Sequence, residues 1–300
     1  MCKTDSNPFN GFGVALTTPF KETGDVDYEA LQKHVEMLCQ NGADFLCVLG
    51  TTAETPTLSD EEKRKVRKTV ADTVKGRIPL LVGAGGNHTQ AICHELEQDR
   101  FDGYQGILIV CPFYNKPTQE GLFQHFMAVN RASHLPIVIY NIPGRTGVNL
   151  ETKTLCRIIE KCPNVVAIKE AAGKLSQIEE FVRSTPAQFC VLCGDDGLAL
   201  DALKSGAKGV ISVVGNAYPK AFGQMVHRAI EGDLAAAGQL DTRMQPLYRL
   251  MMADGNPAGI KCLLSKLMPT ANRLRLPLVP VSQAVENEIE AFCRQKLLSD

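Results

Sequence analysis

The fold class this sequence predicts is α/β, a (β/α)₈ TIM barrel with a C-terminal α-helical appendage, and three observations lead there. Eight short apolar runs are bounded by turn residues, segments of helical period lie between them, and one run returns about every 20 to 35 residues, the size of a strand-plus-helix unit. The runs are "FGVALTTPF", "FLCVLGTT", "PLLVGAGG", "GILIVCPFY", "LPIVIYNIP", "NVVAIKEA", "FCVLCGDD" and "GVISVVGN". They are apolar at nearly every position, where a strand with one wet face would alternate, so they read as parallel strands covered on both sides. Eight such units in about 220 residues fit a closed barrel. The competing fold is a doubly wound open sheet, whose dinucleotide loop would have to be "GAGGNH", Gly83 to His88. That stretch lacks the G-x-G-x-x-G spacing and a ribose-binding acid, and it reads as a tight strand-to-helix turn.

The elements follow in order. Helical spacing runs over Tyr28 to Gln40, Asp60 to Val74, Glu120 to Arg131 and Thr152 to Lys161. Ser59-Asp60-Glu61-Glu62 is a capping box for the second of these, and Pro117-Thr118 stands where the third should begin. A helix from about Tyr218 to Ile230 completes the barrel, giving a catalytic domain over 1–231 and a helical domain over 232–300. In the latter, "LAAAGQLDTRMQPLYRLMMAD", "NPAGIKCLLSKLM" and "SQAVENEIEAFCRQKLL" carry helical spacing, with "RLPLVPVS" as a proline-containing connector.

Composition narrows the function. The chain has 300 residues, 44% hydrophobic and 22% charged, with 32 basic against 33 acidic residues and a net charge of -1. That balance offers nothing to nucleic acid or an anionic membrane, and favours a small-molecule ligand. The basic cluster in "EEKRKVRKTV" reads as a solvated outer face. The opening "MCKTDSNPFN" lacks the basic start and apolar stretch of a signal peptide, and the apolar runs are strand-length, so a cytoplasmic location is expected. The 11 cysteines are scattered through apolar segments and read as reduced, buried thiols. Cys190 and Cys193 form a C-x-x-C, but positions three apart in a strand face opposite sides, which disfavours a shared metal. Asp195-Asp196 reads as the cap of a helix starting near Gly197. None of the 6 histidines sits at a strand end, so histidine catalysis and a histidine-held metal are disfavoured.

In a barrel of this kind the active site lies at the C-terminal ends of the strands. The polar residues there are Thr17 and Thr18, Thr51 and Thr52, Tyr114 and Asn115, Tyr140 and Asn141 with Arg145, Lys169 and Glu170, Asp195 and Asp196, and Ser212 with Asn216. Lys169 is the one lysine directly inside any of the eight runs. If it points into the barrel, strand alternation sends Val165 and Ala167 inward too, and Val166, Ile168 and Glu170 toward the helices. Lysine without an adjacent carboxylate in such a mouth is poised to lose its proton, because desolvation disfavours the ammonium. A neutral amine there captures carbonyls. The bland alternative is a structural or anion-binding lysine. Against it stands Tyr140, which ends the preceding strand in the same inward register as Val138 and is placed to move the protons that Schiff-base chemistry requires. The "GTTAE" turn, Gly50 to Glu54, offers hydroxyls and successive backbone N–H groups to a carboxylate, and Arg145 in "PGRTG" offers a guanidinium fork to a second. Two anion sites beside a nucleophilic lysine point to a 2-oxo acid condensing with, or split from, another acid.

The motifs "GTTAETPTLS", "CPFYNKPTQEGLFQHF", "YNIPGRTG", "AIKEAAG", "CGDD" and "GVISVVGN" resemble, in order and spacing, those of the dihydrodipicolinate synthase family, from about Gly11 into the C-terminal helices. The resemblance implies a class I aldolase-type barrel, a homotetramer built as a dimer of dimers, that forms a Schiff base between pyruvate and Lys169 with no metal or organic cofactor. It implies that Tyr140 relays protons with Thr51, that Tyr114 reaches into a neighbouring subunit's site as the third relay member, and that Thr52 holds the pyruvate carboxylate. It also implies that Gly194 and Ile211 line the pocket and that Arg145 binds the carboxylate of L-aspartate-4-semialdehyde, the partner in a condensation leading toward diaminopimelate and lysine. The rival within the superfamily is N-acetylneuraminate lyase or another 2-oxo acid aldolase; such lyases typically carry "YYIP" without the arginine, so Asn141 and Arg145 favour the synthase. A non-catalytic barrel kept as a binding protein is the remaining alternative. Two departures stand out. Ala53 replaces the usual glycine of the "GTTGE" turn, which requires that position to avoid positive φ. Lys63, Phe113 and Ala91 stand where lysine-inhibited members carry histidine, tyrosine and glutamate, so weak or absent inhibition by lysine is expected.

Overall fold

Each apolar run becomes one strand, and the strands pair in chain order until the last closes on the first: β1 (Gly11–Ala15), β2 (Phe45–Val48), β3 (Leu80–Ala84), β4 (Gly106–Val110), β5 (Ile137–Asn141), β6 (Val165–Glu170), β7 (Cys190–Cys193) and β8 (Gly209–Ser212). The pairing is parallel throughout, closed by Gly11 opposite Gly209 through Val14 opposite Ser212. The structure, a computed structural model, describes residues 7–295 and residue 298. Residues 1–6, read above for a leader, lie outside that range, as do 296–297 and 299–300.

The strands are apolar on both faces because each face has its own core. Phe45 and Cys47 point into the barrel with Leu81, Leu108, Val138 and Leu192. Leu46 and Val48 point outward under the helical shell. That shell comprises α1 (Tyr28–Gln40), α2 (Asp60–Val74), α3 (Thr89–Gln98), α4 (Gln119–Ala132), the short α5 (Pro143–Thr146), α6 (Thr152–Lys161), α7 (Leu175–Ser184), α8 (Ala199–Lys204) and α9 (Pro219–Glu231). Local chemistry starts several of them where expected. Ser59 and Glu62 exchange side-chain-to-backbone hydrogen bonds at the start of α2, and the Thr118 hydroxyl accepts from Gly121 N–H, 3.2 Å, at the start of α4. Asp195 Oδ1 accepts from Gly197 N–H at 3.0 Å and is the cap anticipated, whereas Asp196 does not cap that turn: its Oδ2 accepts from Val213 N–H at 3.0 Å and Val214 N–H at 2.7 Å after β8. Cys190 faces into the barrel and Cys193 away from it.

One expected register needs correction. Val165 does not share the inward face with Ala167; it packs with the outer core, and Val166 lies against the interior. Val138 pairs with Ala167 while Ile137 pairs with Val165, so β6 carries an extra residue at its start. Such a bulge reverses the facing of the residues before it and leaves those after it on the regular alternation. From Ala167 onward the expected facing holds, and Lys169 points inward.

Beyond the barrel, α10 (Leu234–Ala253) packs on α9, followed by α11 (Ala258–Leu267), an extended connector and α12 (Gln283–Arg294). The connector crosses the catalytic end of the barrel. Arg275 donates to Gly24 O and Thr57 O, each at 2.9 Å, and forks onto Glu62 at 2.8 and 2.6 Å. Among the described residues no helix is long and apolar enough to cross a membrane. The basic face of α2 is largely partnered: Lys63 with Asp60, Lys68 with Asp72, Arg67 with Asp99, and Lys65 over the Tyr28 ring.

Candidate active site

Strand register brings the first pair together. Tyr140 of β5 lies opposite Lys169 of β6, both point inward past the last apolar layer, and Lys169 Nζ sits 4.3 Å from the centre of the Tyr140 ring. Lys169 is 6% exposed, and among the described residues it makes neither an ion pair nor a hydrogen bond. Space for its side chain is made from the next strand end, where a Cβ on Gly194 would stand 2.8 Å from Lys169 Cε and 3.1 Å from Cγ. Any larger residue there would displace the lysine. Cys47 lies in the same interior, but burial pushes its thiol up to about 11, so it offers no thiolate to compete with the amine. Ile211 is fully buried in the interior of β8.

Glu170 is turned to the other side of β6. Its carboxylate accepts from Asn141 Nδ2 at 2.8 Å, Gln177 Nε2 at 3.0 Å and Ala172 N–H at 2.6 Å. Burial raises its pKa and these three donors oppose the rise. The carboxylate adjacent in sequence is therefore committed to the loop behind the site and leaves Lys169 unpaired.

A cavity of about 480 Å³ opens beside Tyr140, lined by it with Thr51 and Arg145 and by Leu49, Gly83, Ile142 and Phe113; Lys169, Thr52, Gly194 and Ile211 are not among its lining residues. Lys63 and Glu95 line it as well. Thr51 and Thr52 start a 3₁₀ turn directly after β2, and their backbone N–H groups make no hydrogen bond among the described residues. Ala53 and Glu54 N–H close the turn onto Gly50 O at 3.2 Å and Thr51 O at 3.1 Å. Ala53 keeps an ordinary φ, as its side chain requires; the left-handed position is Glu54, at φ 55°. Arg145 rides on α5, and its Nη2 donates to Asn256 O at 2.9 Å. Among the described residues it has no carboxylate partner.

Tyr114 is not brought into this cavity. It stands 88% exposed on the β4 loop at φ 73°, a conformation that costs a side-chain-bearing residue about 1–3 kcal/mol. The loop is nonetheless pinned, with Asn87 Nδ2 donating to Phe113 O at 3.1 Å and Asn115 Nδ2 to Asn87 O at 3.0 Å. No hydrogen bond joins the hydroxyls of Tyr140, Thr51 and Tyr114 among the described residues.

The helical appendage adds two groups that the pattern of strand ends does not reveal. Asn256 Nδ2 donates to Thr52 Oγ1 at 3.0 Å. Lys261, on α11, forms a buried ion pair with Glu54, donates to Arg273 O at 2.9 Å and lies 3.9 Å over the Phe20 ring. Burial lowers the Lys261 pKa to about 8 against the opposing pull of Glu54. Glu54 Oε2 also accepts from Arg275 N–H at 3.0 Å, so the appendage holds the turn that carries Thr51 and Thr52. No group of three His, Cys, Asp or Glu among the described residues is placed to hold a metal.

A closed parallel barrel with an unpaired lysine inside its C-terminal mouth, stacked against a tyrosine, defines a protein of the class I aldolase type. The chain belongs to the dihydrodipicolinate synthetase family, whose model matches residues 8–296. It is 49% identical over 285 residues to the 4-hydroxy-tetrahydrodipicolinate synthase of Parabacteroides distasonis, covering 95% of this chain and 96% of that one. Its fold superposes on the dihydrodipicolinate synthase of Aquifex aeolicus with a TM-score of 0.93 at 39% identity, covering 97% of this chain and 99% of that one. The chloride-inhibited enzyme of Acinetobacter baumannii, solved in complex with pyruvate, gives a TM-score of 0.93 at 34% identity over 96% and 99% of the two chains.

Proposed function

We propose that this chain is a lyase of the aldolase type that condenses pyruvate with L-aspartate-4-semialdehyde, the 4-hydroxy-tetrahydrodipicolinate synthase reaction on the route to diaminopimelate and lysine. The observation that carries it is Lys169, buried in the barrel mouth without a counter-ion and 4.3 Å over the Tyr140 ring.

The Lys169 amine attacks the carbonyl carbon of pyruvate. Tyr140 delivers a proton to the carbinolamine oxygen, water leaves, and a Schiff base remains. Loss of a methyl proton gives the enamine, whose carbon adds to the aldehyde of the second substrate while the aldehyde oxygen takes up a proton; the amino group of that substrate then attacks the C=N carbon, closing the ring as the bond to Lys169 breaks and its amine is freed. The free N–H groups of Thr51 and Thr52, with the Thr52 hydroxyl, hold the pyruvate carboxylate, and Arg145 takes that of the aldehyde. Gly194 and Ile211 shape the pocket wall. No cofactor takes part.

Thr51 passes protons to Tyr140, and Tyr114 completes the relay in a neighbouring copy of the chain. The support for the last role is its placement: an aromatic ring thrust into solvent on a pinned loop, in a strained conformation, that does not line the cavity of its own barrel. The assembly we propose is a homotetramer, a dimer of dimers. Its functional unit joins the barrel of residues 1–231 to the helices of 232–300, because Asn256 reaches Thr52. The cysteines among the described residues are all free thiols, which supports the cytoplasm as its location.

Turnover assays test the substrate. With pyruvate present, consumption of aspartate semialdehyde is expected, with no cleavage of N-acetylneuraminate; the reverse result would assign the chain to the lyase branch of the superfamily.

A further inference from the structure

We propose that Asn256, in the loop between α10 and α11, is a positioning residue of the active site that fixes the polarity of the Thr52 hydroxyl and the stance of Arg145. The inference rests on the assignment of Thr52 and Arg145 as carboxylate-binding groups made above.

Asn256 touches both anion-binding groups at once. Its side-chain amide donates to Thr52 Oγ1 at 3.0 Å, and its backbone carbonyl accepts from Arg145 Nη2 at 2.9 Å. Thr52 is 2% exposed and makes no other side-chain hydrogen bond among the described residues. A hydroxyl has one proton to give. Since Oγ1 accepts from Asn256, that proton is left for an acceptor on the substrate side. An ionised carboxylate is the acceptor that rewards such an arrangement, because hydrogen bonds to charged groups are the strong ones.

Two further features separate this from ordinary loop packing. Asn256 Oδ1 is buried and finds no partner among the described residues, so the amide is not oriented for its own satisfaction. The loop also has its own anchor a turn away, where Lys261 meets Glu54 and Arg273 O, so it does not depend on the Thr52 contact to stay in place. Asn256 therefore couples two sites that bind different substrates through chemically different atoms, side chain toward Thr52 and backbone toward Arg145.

That division makes the test selective. Asn256→Ala removes the donor and keeps the backbone carbonyl. Asn256→Asp is isosteric but accepts only, so it takes the Thr52 proton and sets a negative charge beside the pyruvate carboxylate. The readout is the pyruvate concentration that gives half-maximal borohydride trapping at Lys169, together with KM for the aldehyde substrate. The expected result is a rise of about tenfold for Asn256→Ala and a larger one for Asn256→Asp, with KM for the aldehyde little changed in the alanine variant. Parent-like trapping by Asn256→Asp would reduce the residue to a space filler and overturn the proposal. Should the aspartate variant not fold, Thr52→Val with and without Asn256→Ala decides: the second change is expected to add nothing to the first, and additive losses would contradict the coupling. A parent enzyme that traps no pyruvate would instead overturn the Lys169 assignment beneath it.

Discussion

Lys169 Nζ lies 4.3 Å from the centre of the Tyr140 ring, on adjacent strands and in direct register. A lysine over an aromatic face is ordinarily held as a cation by the ring. In the proposed reaction the same neighbour carries the hydroxyl that protonates the carbinolamine. Tyr140→Phe keeps the ring and removes the proton donor. The expected outcome is a kcat lowered by about 10²- to 10³-fold with the thermal midpoint little changed; retention of most of the turnover would remove Tyr140 from the chemistry.

Gly194 leaves room for the Lys169 side chain. A methyl there would meet Lys169 Cε at 2.8 Å and Ala171 Cβ at 2.9 Å. Gly194→Ala should cost about 1–3 kcal/mol of stability through overpacking and slow pyruvate trapping disproportionately, because the atom that yields is next to the reacting nitrogen. Single-turnover trapping rates check this, and a parent-like rate would show that Lys169 has free space elsewhere.

Lys261 and Glu54 are buried against each other, with side-chain exposures of 4% and 0%. Breaking one side of such a pair leaves an uncompensated charge, so Lys261→Met is expected to destabilise the fold by about 3–5 kcal/mol in denaturant melts. Replacing Glu54 by Gln in the same chain should restore part of that loss. If it restores none, the ion pair is not what Lys261 contributes.

Stability should fall in acid through His34. Burial lowers its pKa to about 4; Nε2 donates to Asn216 O at 2.9 Å. With an unfolded value near 6.5, the unfolded chain binds the proton first as pH drops, so folding loses up to about 3 kcal/mol between pH 6.5 and 4. His125, also lowered to about 4 by burial, adds to the trend. Asp196 opposes it: burial raises its carboxyl to about 6, so the folded chain protonates first there and gains stability as pH falls from 6. In His34→Gln, denaturation midpoints plotted against pH should have a shallower slope over this window. An unchanged slope would contradict the buried neutral imidazole.

Lysine should be a poor inhibitor. Lys63 and Phe113 line the cavity beside Arg145 and Tyr140, and Ala91 is exposed on α3, so neither a carboxylate for the inhibitor's amine nor a phenol is provided at these positions. Inhibition assays at saturating pyruvate check this; an inhibition constant in the sub-millimolar range would contradict it.

Strands covered on both faces announce themselves as unbroken apolar runs, which is why the barrel and Lys169 were legible in the sequence alone. Facing was legible only where the pleat is regular. The extra residue at the start of β6 sends Val165 outward, and nothing in "NVVAIKEA" marks a bulge. The left-handed stance of Tyr114 is equally silent, since tyrosine carries no signal for positive φ. Asn256 escaped notice for a different reason. It meets Thr52 from 204 residues downstream, and "DGNPAG" reads as a turn and no more. Strand ends collect the residues that the barrel itself contributes, and a helical appendage folded back over the mouth lies outside that pattern.

The most direct test of Lys169 as the nucleophile is to incubate the chain with pyruvate, reduce with borohydride, weigh the intact protein and map the modified peptide. One reduced pyruvate per chain on Lys169 is the expected result. No adduct, or an adduct on another lysine, would contradict it.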